Sequence, residues 1–278
     1  MFDKKKKQLD AMTVNDRLIE HWNYASKKYN IWFLALYGSQ NYGLDTKNSD
    51  VDTKGLIIPS FKQFARSEST INSMIVTDRN EHVEIKDCYS MINNFWKQNI
   101  NFLEILFTEY VILNEDYLEE WQALIDLREE IARFDELKAI KAMAGMAKQK
   151  FEHLCTPHES VKRLIEIYGY DGKQLSNIMR LNNFMCNYIK CFSFEECLTM
   201  HFPFSKDSLM AAKMQIYNYD TAKKIAELTT ISMNNMADDY IKTKTFSKNE
   251  KVKKEVEDII YSVYEKSIRK ELSVSEGI

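Results

Sequence analysis

Apolar positions recur at helical spacing from Lys7 to about Lys28: Leu9, Met12, Leu18, His21, Trp22, Ala25 and Tyr29 share a face and predict an opening helix. The period then changes. Ile31–Tyr37 is an unbroken apolar run that predicts a strand, and Val51–Ile58 predicts a second one, stopped by Pro59. The mixed, polar stretch from Phe61 to Arg79 reads as a connecting loop with a short helix. Alternation returns at His82–Lys86 and predicts a third strand, with Val83 and Ile85 on one face and His82, Glu84 and Lys86 on the other.

From Asp87 onward the pattern is helical almost throughout, in a chain with only three prolines and seven glycines to interrupt it. Asp87 is the expected N-cap of a helix over Cys88–Gln98, and Asn101 that of the short apolar helix after it. Tyr117 to about Lys150 fits one or two long helices and Asp171–Tyr188 another. Thr221–Met236 and Ser247–Leu272 close the chain as amphipathic helices. This order predicts an α+β protein: a small mixed-sheet domain over residues 1–110, then an all-helical domain over residues 111–278.

Composition narrows the class. At 45% hydrophobic and 28% charged, the 278 residues are those of a soluble globular protein, and no apolar run approaches the ~20 residues that span a bilayer. The basic start Lys4–Lys7 leads into amphipathic sequence rather than the apolar core of a secretory signal, so the expected location is the cytoplasm. A net charge of −3 exerts no general pull on nucleic acid, and the clusters Lys4–Lys7 and Lys251, Lys253 and Lys254 read as solvated faces. Cys88, Cys155, Cys186, Cys191 and Cys197 are odd in number and lack C-x-x-C spacing, which predicts reduced core thiols. His153, Cys155 and His158 lack the pattern of a zinc site.

The candidate chemistry lies between the first two strands. Tyr37-Gly38-Ser39-Gln40-Asn41-Tyr42-Gly43 puts a small Gly-Ser pair at a strand end, where backbone N–H groups and a hydroxyl can approach phosphate. Ser49-Asp50-Val51-Asp52 follows, with Gly55 shortly after. On an extended strand, Asp50 and Asp52 point to one face and offer oxygen ligands to two hard cations. A phosphate cradle beside paired carboxylates suits transfer of a nucleotidyl group, since that chemistry is mostly charge neutralisation and in-line positioning. Alternation selects Glu84, over Asp78, Glu81 and Asp87, as a third carboxylate on the same strand system.

The arrangement resembles the DNA polymerase β-like nucleotidyltransferase superfamily. Its longer form, Gly-Ser-x-x-Tyr-Gly-Leu and then Ser-Asp-x-Asp-x-x-Gly, resembles the "predicted nucleotidyltransferase" branch of bacteria and phages, including a phage RNA-repair-associated type. The likeness extends through Val83-Glu84-Ile85-Lys86-Asp87, Asn101-Phe102-Leu103-Glu104-Ile105-Leu106-Phe107, and Gly169-Tyr170-Asp171-Gly172-Lys173 leading to Arg180-Leu181. It implies that Asp50, Asp52 and Glu84 hold two Mg²⁺ ions, with Mn²⁺ as a substitute, and that Glu84 helps deprotonate the attacking hydroxyl. Gly38 and Ser39 would hold the β- and γ-phosphates, with Asn41 and Tyr42 on the same turn. Tyr42 either contacts nucleotide or packs beneath the loop, and Lys86 is either a phosphate contact or a solvated charge. Lys173 and Arg180, seven apart on one helical face, match basic positions; they grip the triphosphate across a cleft or form a surface pair. Glu104 reads as a buried carboxylate that fixes the orientation of the two domains. The chain departs from the family near Gln174 and Asn177, where histidines are expected.

The resemblance implies transfer of an NMP or dNMP from a nucleoside triphosphate to an acceptor hydroxyl, with release of pyrophosphate. The acceptor is a nucleic-acid 3′ end or another nucleotide. The alternatives are an AMPylating transferase of toxin–antitoxin type, an oligonucleotide-synthesising phage-defence enzyme, and a non-catalytic member that binds a partner protein. Intact Ser39, Asp50 and Asp52 argue against the last.

Overall fold

The computed structural model describes residues 13–47 and 49–275, so the Lys4–Lys7 run lies outside the described residues. Among them, β1 (Ile31–Tyr37), β2 (Asp52–Ile57), β3 (Asn72–Val76), β4 (His82–Asp87) and β5 (Val111–Leu113) form a sheet in the order β3-β4-β2-β1-β5. β1 runs antiparallel to β2 and β5, β3 runs antiparallel to β4, and β2 runs parallel to β4. The protein is α+β, with a mixed sheet and many helices.

β1 is apolar on both faces because both are covered. On one side the Val14–Ser26 helix sets Leu18, Trp22 and Ala25 against Leu34, Leu36, Ile57, Val83 and Ile85 of the sheet. On the other, Phe33, Ala35 and Leu56 join a core that continues through Met91, Phe95 and Leu103 into the helices beyond. Asp87 caps the Cys88–Phe95 helix as expected, accepting the Ser90 N–H at 2.8 Å. The next helix, Ile100–Leu103, is capped by Asn99 rather than Asn101, whose own N–H donates to the Asn99 side chain at 3.0 Å.

Two strands escape the hydrophobic pattern. β3 is an edge strand with Asn72, Met74 and Val76 exposed, so it carries no apolar run, and β5 is only three residues long. β5 also carries the sheet past residue 110, into the half that reads as all-helical. The stretch from Tyr117 to Lys150 divides into the Leu118–Asp126, Arg128–Ala132 and Glu136–Glu152 helices. The Lys162–Tyr168, Phe194–Thr199 and Lys206–Lys213 helices are too short for periodicity to reveal. All five cysteines are free, but only Cys88 and Cys197 are buried, so the core-thiol expectation fails at exposed Cys155 and Cys191.

The Gly172–Ile189 helix is the centre of the second half, packed by the Glu136–Glu152, Lys206–Lys213 and Tyr219–Thr243 helices. Asp171 caps it by accepting the Lys173 N–H at 2.8 Å. At Gly172 a Cβ would lie 2.5 Å from the Ala212 carbonyl oxygen, so only glycine lets this helix start so close to its neighbour. The Glu250–Ser275 helix returns to the strands, where Asn30 donates to the Ser267 hydroxyl at 3.3 Å and the Phe61 N–H to Glu271 at 2.8 Å. No helix of the described residues is long and apolar enough to cross a membrane.

Candidate active site

β1 delivers the chain into Gly38, at φ 111° and ψ −154°, a conformation open in practice to glycine alone. The 3₁₀ turn Ser39–Tyr42 follows. Glu104 shapes this turn from beneath: it accepts the Gly38 N–H at 3.0 Å on Oε1 and the Tyr42 hydroxyl on Oε2. Asn41 also turns inward, donating to the Leu36 carbonyl at 3.2 Å and accepting from the Thr108 hydroxyl at 2.7 Å. Two expected nucleotide contacts, the Gly38 N–H and the Asn41 side chain, are therefore engaged in building the turn.

Of the two roles left open for Tyr42, the structure shows packing beneath the loop, at the wall of the adjoining cleft. The Tyr42 ring is buried, its hydroxyl is bonded to Glu104, and the Arg180 guanidinium lies 4.1 Å from the ring centroid. Burial pushes the Tyr42 hydroxyl well above its ordinary pKa. Burial likewise raises Glu104 to about 7, against the lowering pull of Arg180, Tyr42, Lys54 and the Gly38 N–H. Glu104 thus secures the turn directly, and the Arg180 charge of the second half acts on it.

A cleft of about 330 Å³ opens beside this turn. Gly38, Ser39, Gln40, Tyr42, Asp50 and Asp52 line it from the strand half, and Lys150, Lys173, Arg180 and Lys213 from the helices. Lys173 and Arg180 are therefore a cleft-lining pair, with Ser176 and Asn177 between them on the same helical face. Arg180 is 7% exposed, and its Nε and Nη1 find no hydrogen-bond partner among the described residues. Burial lowers the pKa of Lys150 and of Lys213, and the nearby Lys173 charge lowers both further. Lys213 donates to the Leu44 carbonyl at 2.6 Å, which ties the helical side to the loop leading to Asp50. Four like charges gathered here repel one another unless an anion lies between them.

The two central carboxylates reach the cleft differently. Asp52 Oδ1 accepts the His82 N–H at 3.0 Å and lies 3.2 Å from His82 Nδ1, while exposed Asp50 forms no ion pair among the described residues. Gln40 donates to the Asp50 carbonyl at 2.8 Å and so links the Gly-Ser turn to the acidic segment.

Glu84 does sit on the cleft-side face of the sheet, opposite Lys54 in the β2–β4 register, but it does not line the cleft. Its oxygens are held by Lys54 and, at 3.2 Å, by Lys86. Burial alone would raise its pKa; the hydrogen bonds and charges of Lys54, then Lys86, outweigh burial and lower it. Lys86 also donates to Asn72 at 2.7 Å and is likewise outside the cleft lining. Lys54 is buried with its ammonium 3.7 Å from the Tyr37 ring centroid and 4.4 Å from that of Phe102. Among the described residues no three Asp, Glu, His or Cys side chains converge as a metal-binding group.

No protein-family model matches the chain, and no curated protein matches it significantly.

What the site can do rests on its own chemistry. Asp50 and Asp52 offer oxygen donors alone in a polar cleft, which fits a hard divalent ion such as Mg²⁺. Glu84, its oxygens held by Lys54 and Lys86, does not join them as the structure stands. Lys150 and Lys213 carry no motif: one lies near the end of a long helix, the other on a short helix that periodicity does not show, and tertiary packing alone brings them to the cleft.

Proposed function

We propose that this chain is a metal-dependent nucleotidyltransferase that moves an NMP or dNMP unit from a nucleoside triphosphate to an acceptor hydroxyl, a nucleic-acid 3′ end or another nucleotide. One observation carries this reading: the Ser39 turn and the Asp50 and Asp52 carboxylates share a cleft with four cationic side chains, one of them a buried arginine whose Nε and Nη1 have no hydrogen-bond partner among the described residues. A triphosphate of about four negative charges matches that wall, and oriented cations acting in a site of low dielectric stabilise the charge that develops in transfer.

In this mechanism Lys150, Lys173, Arg180 and Lys213 hold the phosphates, and the Tyr42 ring fixes the plane of the Arg180 guanidinium. Ser39 contributes its hydroxyl at the turn. Asp50 and Asp52 would hold Mg²⁺ or Mn²⁺, which when bound neutralises phosphate charge and polarises the reacting phosphoryl group. The acceptor oxygen bonds to the α-phosphorus as the bond to the β-phosphate bridging oxygen breaks, and pyrophosphate leaves. Asp52 Oδ2, the oxygen not bonded to His82, takes the acceptor proton.

Incubation with labelled NTPs and dNTPs in Mg²⁺ or Mn²⁺, alone and with RNA, DNA or total lysate, tests the reading. Label transfer with pyrophosphate release supports it, and the labelled product names the acceptor. Nucleotide binding with no transfer under any condition would make the chain a binding member of the fold instead.

A further inference from the structure

On the face of the sheet opposite the cleft, a buried charged cluster grips the segment that carries Asp50 and Asp52. Glu81, 1% exposed, accepts the Val51 N–H at 3.0 Å on Oε1 and pairs with the Arg17 guanidinium. Its Oε2 lies 3.1 Å from His21 Nε2, and His21 Nδ1 lies 2.9 Å from the Thr53 hydroxyl. Arg17 also donates to the Ser49 carbonyl at 3.3 and 3.4 Å. The cluster thus touches the residue before Asp50, the residue between the two aspartates, and the residue after Asp52.

The placement follows from two periods. Asp52 points into the cleft, so Thr53 points the other way, toward the Val14–Ser26 helix, where Arg17 and His21 lie one turn apart. Glu81, paired with a guanidinium, accepts at both oxygens; Nε2 of His21 therefore carries the ring proton, and Nδ1 accepts from Thr53. Glu81, His21 and Thr53 are each matched to a neighbour of the right kind, while Arg17 Nε is buried without a hydrogen-bond partner among the described residues. Buried ionic sets are often no more stabilising than apolar residues of similar volume, so stability is weak grounds for this one.

We propose that Arg17, His21 and Glu81 are positioning residues that fix the separation and direction of Asp50 and Asp52, and through them the affinity of that pair for a divalent cation. The inference rests on the metal-site reading given above. Two carboxylates share a small hard ion only when both meet its narrow distance and angle requirements, and slack in the backbone between them removes that match. Partners standing behind metal ligands typically change metal affinity by about 10- to 100-fold when lost.

The test titrates Mn²⁺ alone into the full chain, followed by electron paramagnetic resonance, for wild type, Glu81→Gln, Thr53→Val and Asp52→Asn. Calorimetry with inorganic tripolyphosphate in EDTA runs alongside. Glu81→Gln should weaken Mn²⁺ binding by about 10-fold or more while leaving tripolyphosphate binding unchanged, because the cations of the cleft stand on other elements. Thr53→Val keeps the volume, removes only the His21 contact, and serves if Glu81→Gln does not fold. A folded variant with the wild-type Mn²⁺ constant overturns the inference, as does an equal loss of both ligands, which marks a general loosening. If Asp52→Asn itself leaves Mn²⁺ binding intact, the metal-site reading falls and the inference falls with it.

Discussion

The backbone N–H of Gly38 donates to the Glu104 carboxylate at 3.0 Å, so the turn that begins the cleft hangs on a fully buried acid. Burial raises that acid from 4.5 to about 7, which means the folded protein binds its proton more tightly than the unfolded chain does. The linked stability is complete below about pH 4.5 and is lost as pH rises through about 7. Its size is on the order of 3 kcal/mol. Glu104→Gln keeps an acceptor for Gly38 and should flatten this dependence, as read by urea unfolding of both proteins at about pH 5 and about pH 8. An unchanged slope in the variant would assign the pH dependence to another group.

Asp50→Asn and Asp52→Asn should each lower kcat by roughly 10²-fold or more, since each removes charge from the cleft and a ligand from the proposed metal. Neither fills or empties core volume, so the melting temperature should hardly move. Wild-type rates in both variants would place the chemistry elsewhere.

The central strands and the motif they carry are legible in the chain because local physics writes them. Ile31–Tyr37 is buried on both faces and therefore continuously apolar, Val83 and Ile85 alternate because one face of β4 meets the core, and the backbone at Gly38 excludes any residue with a Cβ. β3 is silent because its alternate residues face solvent at a sheet edge. Within the cleft, Lys173 and Arg180 share a helix and a spacing, whereas Lys150 and Lys213 come from two other helices and meet them only through packing. The inward turn of Asn41 and the capture of Glu84 by Lys54 depend on partners 67 and 30 residues away, which no local pattern encodes.

Lys150→Ala, Lys173→Ala and Lys213→Ala should each raise the Michaelis constant for nucleotide more than they disturb the melting temperature. Each removes a cation from a set that stands close enough for mutual repulsion, and removing one lowers that repulsion while weakening the hold on phosphate. Their effect should shrink as salt is added, because partly exposed charges are screened over about 10 Å at 0.1 M ionic strength. Steady-state kinetics at two ionic strengths reads both quantities; a Michaelis constant that is unchanged in all three variants would remove the phosphate wall from the mechanism.

Glu84 separates structure from catalysis most sharply, because the same carboxylate is a candidate metal ligand and the counter-charge of a buried lysine. As found, its oxygens belong to Lys54 and Lys86, and Lys54 is enclosed by the Tyr37 and Phe102 rings. Glu84→Gln would leave the Lys54 ammonium buried with a neutral partner and with Lys86 still beside it. Removing one member of such a pair costs about 3 kcal/mol or more, since the remaining charge has lost its water without keeping its counter-ion. The expected outcome is a lower unfolding midpoint in urea together with a smaller loss of transfer rate than Asp52→Asn produces. A Glu84→Gln protein that is as stable as wild type and as inactive as Asp52→Asn would show instead that Glu84 leaves its lysines when nucleotide and metal bind and serves as the third ligand.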